Sequence, residues 1–196
     1  MARTQAADYD ERREAIVEKA AQLYAESGFL GCSIADLARA CGISKSLLYH
    51  YFGSKEDILF AIMDGHVEAL LAVAANVADE PDATARLRLL TRQFLELYRD
   101  ATARHKVLVN DLDKLPEPRR RAIVTAERHL LETMDGILAQ IAPSFSREPG
   151  QPRATTMLYF GMINWTHTWY DPDGAIDPRS LADLVVDIML KGVSGR

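Results

Sequence analysis

Lys45, Ser46, Tyr49 and His50 are the side chains whose types and spacing promise chemistry. At helical spacing Lys45 and Tyr49 share a face with Ser46 and His50 beside it, while Leu47, Leu48 and Phe52 turn inward as anchors. A cation, hydroxyls and an imidazole on one exposed face suit base edges and phosphate oxygens, not bond breaking. No acid interrupts them. From Leu37 to Lys55 the chain carries Arg39, Lys45 and Lys55 but no Asp or Glu, within a protein of net charge −5. Such a local gap in negative charge attracts a polyanion even when net charge does not. Catalytic inventory is missing: there is no His-Glu-x-x-His, no Glu-x-x-His pair, no Gly-x-Ser-x-Gly and no Gly-rich phosphate loop. Cys32 and Cys41 lack metal-ligand spacing, so reduced, half-buried thiols are expected and no metal site. An enzyme is not the reading.

The elements that must position those donors are legible from caps. Ser33 and Asp36 have capping-box spacing, which opens a helix at Ile34, and Gly42 stops it. Ile43 plugs the corner, and Ser44 caps a second helix through His50. Ser54 with Asp57 repeats the capping spacing and starts a long third helix through Ile58, Leu59, Ile62 and Met63. A preceding helix from about Tyr9 to Ser27, with Ile16, Ala20, Leu23 and Tyr24 on its apolar face, ends at Gly28. Residues 1–8 read as a polar tail. The result is a helix-turn-helix head.

The run GxxxxSIADLARACGISKSLLYHYFGSKEDIL, and most of all Leu-Tyr-x-Tyr-Phe-x-Ser-Lys-Glu within it, resembles the DNA-binding domain of the TetR family of transcriptional regulators. The resemblance covers residues 9–62. It implies a dimer that binds a palindromic operator and a body that binds an effector. Lys45 and Ser46 would meet base edges, Ala35 a thymine methyl, and Ser33, Ser44, Tyr49, His50, Tyr51 and Lys55 would cap the recognition helix or hold phosphates.

Residues 1–55 carry seven basic and seven acidic side chains, so the remainder of the 196 residues carries the whole −5. With 48% hydrophobic residues and pI near 5.5 this is neither a disordered chain nor a non-specific nucleic-acid coat. No apolar leader and no run of 18 apolar residues is present, which points to a cytoplasmic protein. After the connector helix, ending near Ala78, helices are expected at 83–102, 107–115, 119–141, 153–170 and 179–193, with a loop from Pro143 to Pro152. The fold class is all-α with about nine helices: a DNA-binding domain at 1–54, its connector starting to about 62, and a helical effector-binding and dimerisation domain at 55–196.

The segment MLYFGMINWTHTWYDPDG is too aromatic to face water, and the last helix adds Leu181, Leu184, Val185, Ile188 and Met189; two such helices per chain predict a four-helix interface in a homodimer. Asn164, His167 and Thr168 form a polar stripe beside Trp165 and Trp169. Two uses compete for it: mutual hydrogen bonding within the protein, or a pocket lined by Phe94, Tyr98, Met134, Trp165 and Trp169. The Gly-Met-x-Asn-Trp-x-x-x-Trp-Tyr-x-Pro-x-Gly pattern resembles a TetR branch that controls acyl-CoA catabolism. That implies an acyl-CoA effector and no cofactor, with Arg119, Arg120 and Arg121 either on its phosphates or on a solvated face. The alternatives are a regulator answering a hydrophobic drug-like ligand, or a helical adaptor without DNA affinity.

Overall fold

The computed structural model describes residues 2–143, 150–171 and 173–194. Nine α-helices are present among them and no strand: α1 Ala2–Gly31, α2 Ile34–Ala40, α3 Lys45–Tyr51, α4 Lys55–Asn76, α5 Ala83–Asp100, α6 Thr102–Asp111, α7 Glu117–Ile141, α8 Gln151–Asn164 and α9 Pro178–Ser194. Short 3₁₀ turns follow α6 at Leu112–Lys114 and α8 at Trp165–Thr168. Packing divides the chain into two compact units, residues 1–66 with 103–123, and residues 67–102 with 124–196. The division of roles expected at 54/55 is therefore not the division of packing. The segment 103–123 packs with the N-terminal unit, and α4, α6 and α7 each run covalently from one unit into the other.

In the first unit α1 starts earlier than expected, at Ala2 rather than Tyr9. Its opening residues Ala2, Arg3, Gln5 and Ala6 are helix formers with no Gly or Pro to stop them. The break at Gly28 is where the sequence places it, at φ 72°, which only glycine adopts without strain. Beyond it the Phe29 peptide is held by two charges. Its carbonyl accepts from the Lys55 ammonium, and its backbone N–H bonds the Asp111 carboxylate of α6. Ile16, Val17, Ala20 and Tyr24 of α1 are buried, as are Leu37, Leu48, Ile58, Leu59, Ile62 and Met63. By length and composition α4 could cross a membrane, but these buried residues show its apolar surface already used inside the protein. Arg104 ties α6 to α1 through Glu14 and Glu18, the latter at 3.0 Å.

In the second unit α5 packs along α9, clamped by Arg88 and Arg92 on Asp183 and by Arg88 on Asp187 at 2.5 Å. Arg88 and Asp187 form that last bond with the carboxyl drawn below its usual range, chiefly by the bond itself. The helix expected at 153–170 is instead α8 followed by a tightened turn. Thr166 Oγ1 donates to Ile163 O at 2.6 Å and Thr168 Oγ1 to Trp165 O at 2.7 Å, while His167 Nδ1 lies 2.6 Å from Asn164 O. Three consecutive side chains thus reach carbonyls three residues back, which competes with the α-helical ladder. The gap expected between 102 and 107 is also absent. A bend at Ala101, φ −121° and ψ 38°, separates α5 from α6 without any Gly or Pro. Part of the expected loop at 143–152 lies outside the described residues; α8 opens after Gly150 in the left-handed conformation.

Candidate nucleic-acid interface

The interface is built from α2, the Gly42 turn and α3. Ser33 caps α2 in both directions: Asp36 N–H donates to Ser33 Oγ at 3.2 Å, and Ser33 N–H donates to Asp36 Oδ2 at 3.0 Å. The Ser33 hydroxyl first, and then the Ser33 N–H, both donating to the Asp36 carboxylate, hold that carboxyl below its ordinary pKa. Gly42 turns the chain at φ 65°, Ile43 N–H bonds back to Ala38 O at 3.0 Å, and Ser44 Oγ accepts from Leu47 N–H at 3.1 Å. Buried Leu48 and Phe52 seat α3 in the core. Lys45, Ser46, Tyr49 and His50 are left exposed on the other side of the helix. Lys45 has no hydrogen bond or ion pair among the described residues. A hydroxyl- and cation-bearing helix seated this way can enter a major groove.

Other expected contacts are placed differently. The Ser33 hydroxyl also donates to Asp36 Oδ2 at 2.5 Å, so it is occupied by its cap beside a carboxylate that repels phosphate. Lys55 is a correction: its ammonium bonds Phe29 O and lies 4.0 Å from the Phe29 ring and 5.7 Å from the Tyr24 ring, turned into the fold and away from solvent. The gain in direct bonding and in the negative ring faces explains that choice. Ala35 is half-buried, and Tyr51 is half-buried with its ring 4.8 Å from Tyr9. Neither Tyr9 nor Arg12 nor Arg13 of α1 was expected at this face. Their only signal was the one-turn spacing of Tyr9, Arg12 and Arg13.

The nine expected effector residues do not form one set. Arg119 and Arg120 belong to the first unit; Phe94, Tyr98, Met134, Asn164, Trp165, Thr168 and Trp169 belong to the second. Arg119 pairs with Asp57 and lies 5.7 Å from the Phe60 ring, and Arg120 pairs with Glu117. Phe94, Tyr98 and Met134 are buried, with Phe94 and Tyr98 stacked at 6.2 Å. Tyr98 OH donates to Asn164 Oδ1 at 2.9 Å, and burial raises that phenol well above its usual pKa. Burial also raises the carboxyl of nearby Glu127. Trp165 and Trp169 are 62% and 56% exposed, so in a single chain they line a surface, not an enclosed slot.

A doubly capped helix-turn-helix that displays an acid-free helix, carried on an all-helical body, defines a DNA-binding transcription regulator of the one-component kind. Comparison with known proteins gives the same class. Residues 16–62 match the model of the bacterial regulatory proteins of the tetR family, and residues 80–193 match the tetracyclin repressor-like C-terminal domain. The chain belongs to the TetR family of transcriptional regulators. A TetR-family regulator from Bordetella parapertussis 12822 is 39% identical, with TM-score 0.89 over 94% of this chain and 96% of the other. AibR, solved in complex with isovaleryl coenzyme A and operator DNA, is 27% identical, with TM-score 0.79 over 90% and 97%. The regulator HbdR of Aromatoleum sp. (strain CIB) is 27% identical over 92% of this chain and 79% of its own length.

Proposed function

We propose that this regulator is a cytoplasmic repressor that grips a palindromic operator as a homodimer and lets go when an acyl-CoA thioester binds its body. The observation that carries the DNA half is the exposed, acid-free face of α3, with Lys45 and Ser46 toward base edges and Ser44, Tyr49, His50 and Tyr51 toward the backbone. Residues 1–54 and the start of α4 would serve as the DNA-binding domain, with effector binding and dimerisation in the rest. The dimer reading rests on Met157, Leu158 and Trp165 of α8 and its turn, and Leu184 and Ile188 of α9, all large apolar side chains about half exposed or more. Two heads about a two-fold would read half-sites ~34–36 Å apart, or a multiple of that. No cofactor takes part.

The effector class rests on the likeness to AibR and on the Trp165–Trp169 pattern, not on Arg119 to Arg121, of which Arg119 pairs with Asp57 while Arg120 and Arg121 share Glu117. A gel-shift assay with the DNA upstream of the protein's own reading frame tests both halves. A complex that forms and is released by isovaleryl-, phenylacetyl- or palmitoyl-CoA, but not by free CoA, is the expected result. A complex released only by uncharged hydrophobic compounds would move the effector to the drug-like class, and no complex would remove the DNA reading.

A further inference from the structure

We propose that Arg12 of α1 is a DNA-phosphate contact flanking the recognition helix, held in register by Tyr9. The proposal rests on the DNA-binding reading above. The cations of the head sort cleanly by what they touch. Arg13 lies over the Phe52 ring at 4.8 Å, Lys19 bonds Gln22 at 3.4 Å, Arg39 pairs with Asp36 at 3.2 Å, and Lys55 is turned onto Phe29. Among the described residues, Arg12 and Lys45 alone in that set, both exposed, are left without such a contact. They mark opposite ends of α3. Lys45 is its first residue, and Arg12 lies beside Tyr51, its last. Two adjoining clefts, of about 250 and 380 Å³, both have Arg12 and Tyr51 in their walls.

Aromatic packing fixes this placement. The Tyr9 ring meets Tyr51 at 4.8 Å and His50 edge-on at 6.1 Å, and His50 meets Tyr51 at 5.6 Å. One turn further along α1, Arg13 covers Phe52. Tyr9 and Arg13 thus clip α1 to the last turn of α3, and Arg12, next to Arg13, is carried at the flank beside Tyr51. A guanidinium there matches the phosphodiester oxygens that border a groove entered by α3. Asp8 also lines the smaller cleft and opposes an anion at that place, so its charge should weaken the contact.

The test is fluorescence anisotropy with two labelled duplexes, the protein's own upstream DNA and an unrelated sequence, across a potassium chloride series. Arg12→Gln should weaken both duplexes by the same factor, roughly 3–10-fold, and lower the slope of log affinity against log salt by about 0.9 per head. Asp8→Asn should strengthen both. Tyr9→Phe should bind as the parent does, while Tyr9→Ala should lose the slope contribution of Arg12 with thermal stability still measurable. If Arg12→Gln and Asp8→Asn leave affinity and slope unchanged while the parent protein binds, this proposal alone is overturned. If the parent binds neither duplex, the DNA-binding reading fails with it.

Discussion

Lys45 and Lys55 carry the same charge within the same motif, yet the fold gives them opposite work. The Lys45 ammonium faces solvent at the start of α3, whereas the Lys55 ammonium closes the carbonyl of Phe29 and rests on its ring. Lys55→Ala should therefore lower stability by roughly 1 kcal/mol, because it leaves the half-buried Phe29 carbonyl with only the long bond from Cys32 N–H at 3.5 Å. Lys45→Ala should leave thermal unfolding unchanged and relax base preference at one position per half-site. Melting curves and a binding-site selection with both variants check this; equal melting losses would reject the assignment. A second residue-scale consequence concerns pH. His66 of α4 and His105 of α6 are both buried, with Nε2 and Nδ1 3.2 Å apart. Burial, helped by the Arg104 charge, lowers the His66 pKa from 6.5 to about 4. A lowered folded-state pKa means the unfolded chain binds the extra proton first. The stabilisation is complete above pH 6.5 and is lost as pH falls toward 4, roughly 3 kcal/mol in all. His66→Gln should flatten the melting temperature across that window, and an unchanged slope would show that another group titrates.

Elements whose signals are local were legible, and those set by distant partners were not. Ser33, Gly42 and Ser44 announce the helix-turn-helix because each acts within four residues of itself, as the caps and the positive φ show. Adding a Cβ at Gly42 meets nothing within 4 Å. Gly42→Ala should therefore cost only the backbone term, about 1 kcal/mol by chemical denaturation, and a loss several times larger would mean the turn has repacked. Ser54 Oγ also accepts from Asp57 N–H at 3.1 Å as its spacing suggests. The Asp57 carboxylate, though, goes to Arg119, far along the chain, and nothing local could announce that. Lys55 was misplaced for the same reason, since Phe29 lies 26 residues away. The helices expected at 83–102 and 179–193 correspond to α5 and α9, but the bend at Ala101 carries no Gly or Pro signal and the tightening at Trp165 depends on side chains that reach their own backbone. The exposure of Lys45, Ser46, Tyr49 and His50 on α3 was thus readable from local signals, whereas the inward turn of Lys55 was not. The candidate effector residues were not, because Phe94, Tyr98 and Met134 are buried while Trp165 and Trp169 are exposed, and sequence spacing does not announce that difference.

At the scale of the whole molecule, regulation requires that an effector favour one arrangement of a dimer over another, and it can shift DNA occupancy only by that difference, typically ~1–3 kcal/mol. Three helices, α4, α6 and α7, pass covalently between the two units, so the chain has continuous elements through which such a difference can act. In the proposed dimer a single head would hold one half-site, and the second head would add its binding at the high effective concentration set by the partner, a gain of roughly 10²–10⁴. The surface proposed to hold the partner is apolar and displayed: Leu158 is 68% exposed on α8 and Ile188 52% exposed on α9. Because both side chains already face water in one chain, Leu158→Glu with Ile188→Glu should leave the fold of the subunit intact, with little change in the circular dichroism of the monomer. Like charges brought face to face across a two-fold, together with the loss of buried apolar area, should then drive the pair apart. Sedimentation should report a single subunit, and affinity for a full palindrome should fall by roughly 10² or more, toward the affinity for an isolated half-site. A variant that still sediments as a dimer would place the interface elsewhere; a monomer that keeps full operator affinity would sever dimerisation from DNA binding altogether.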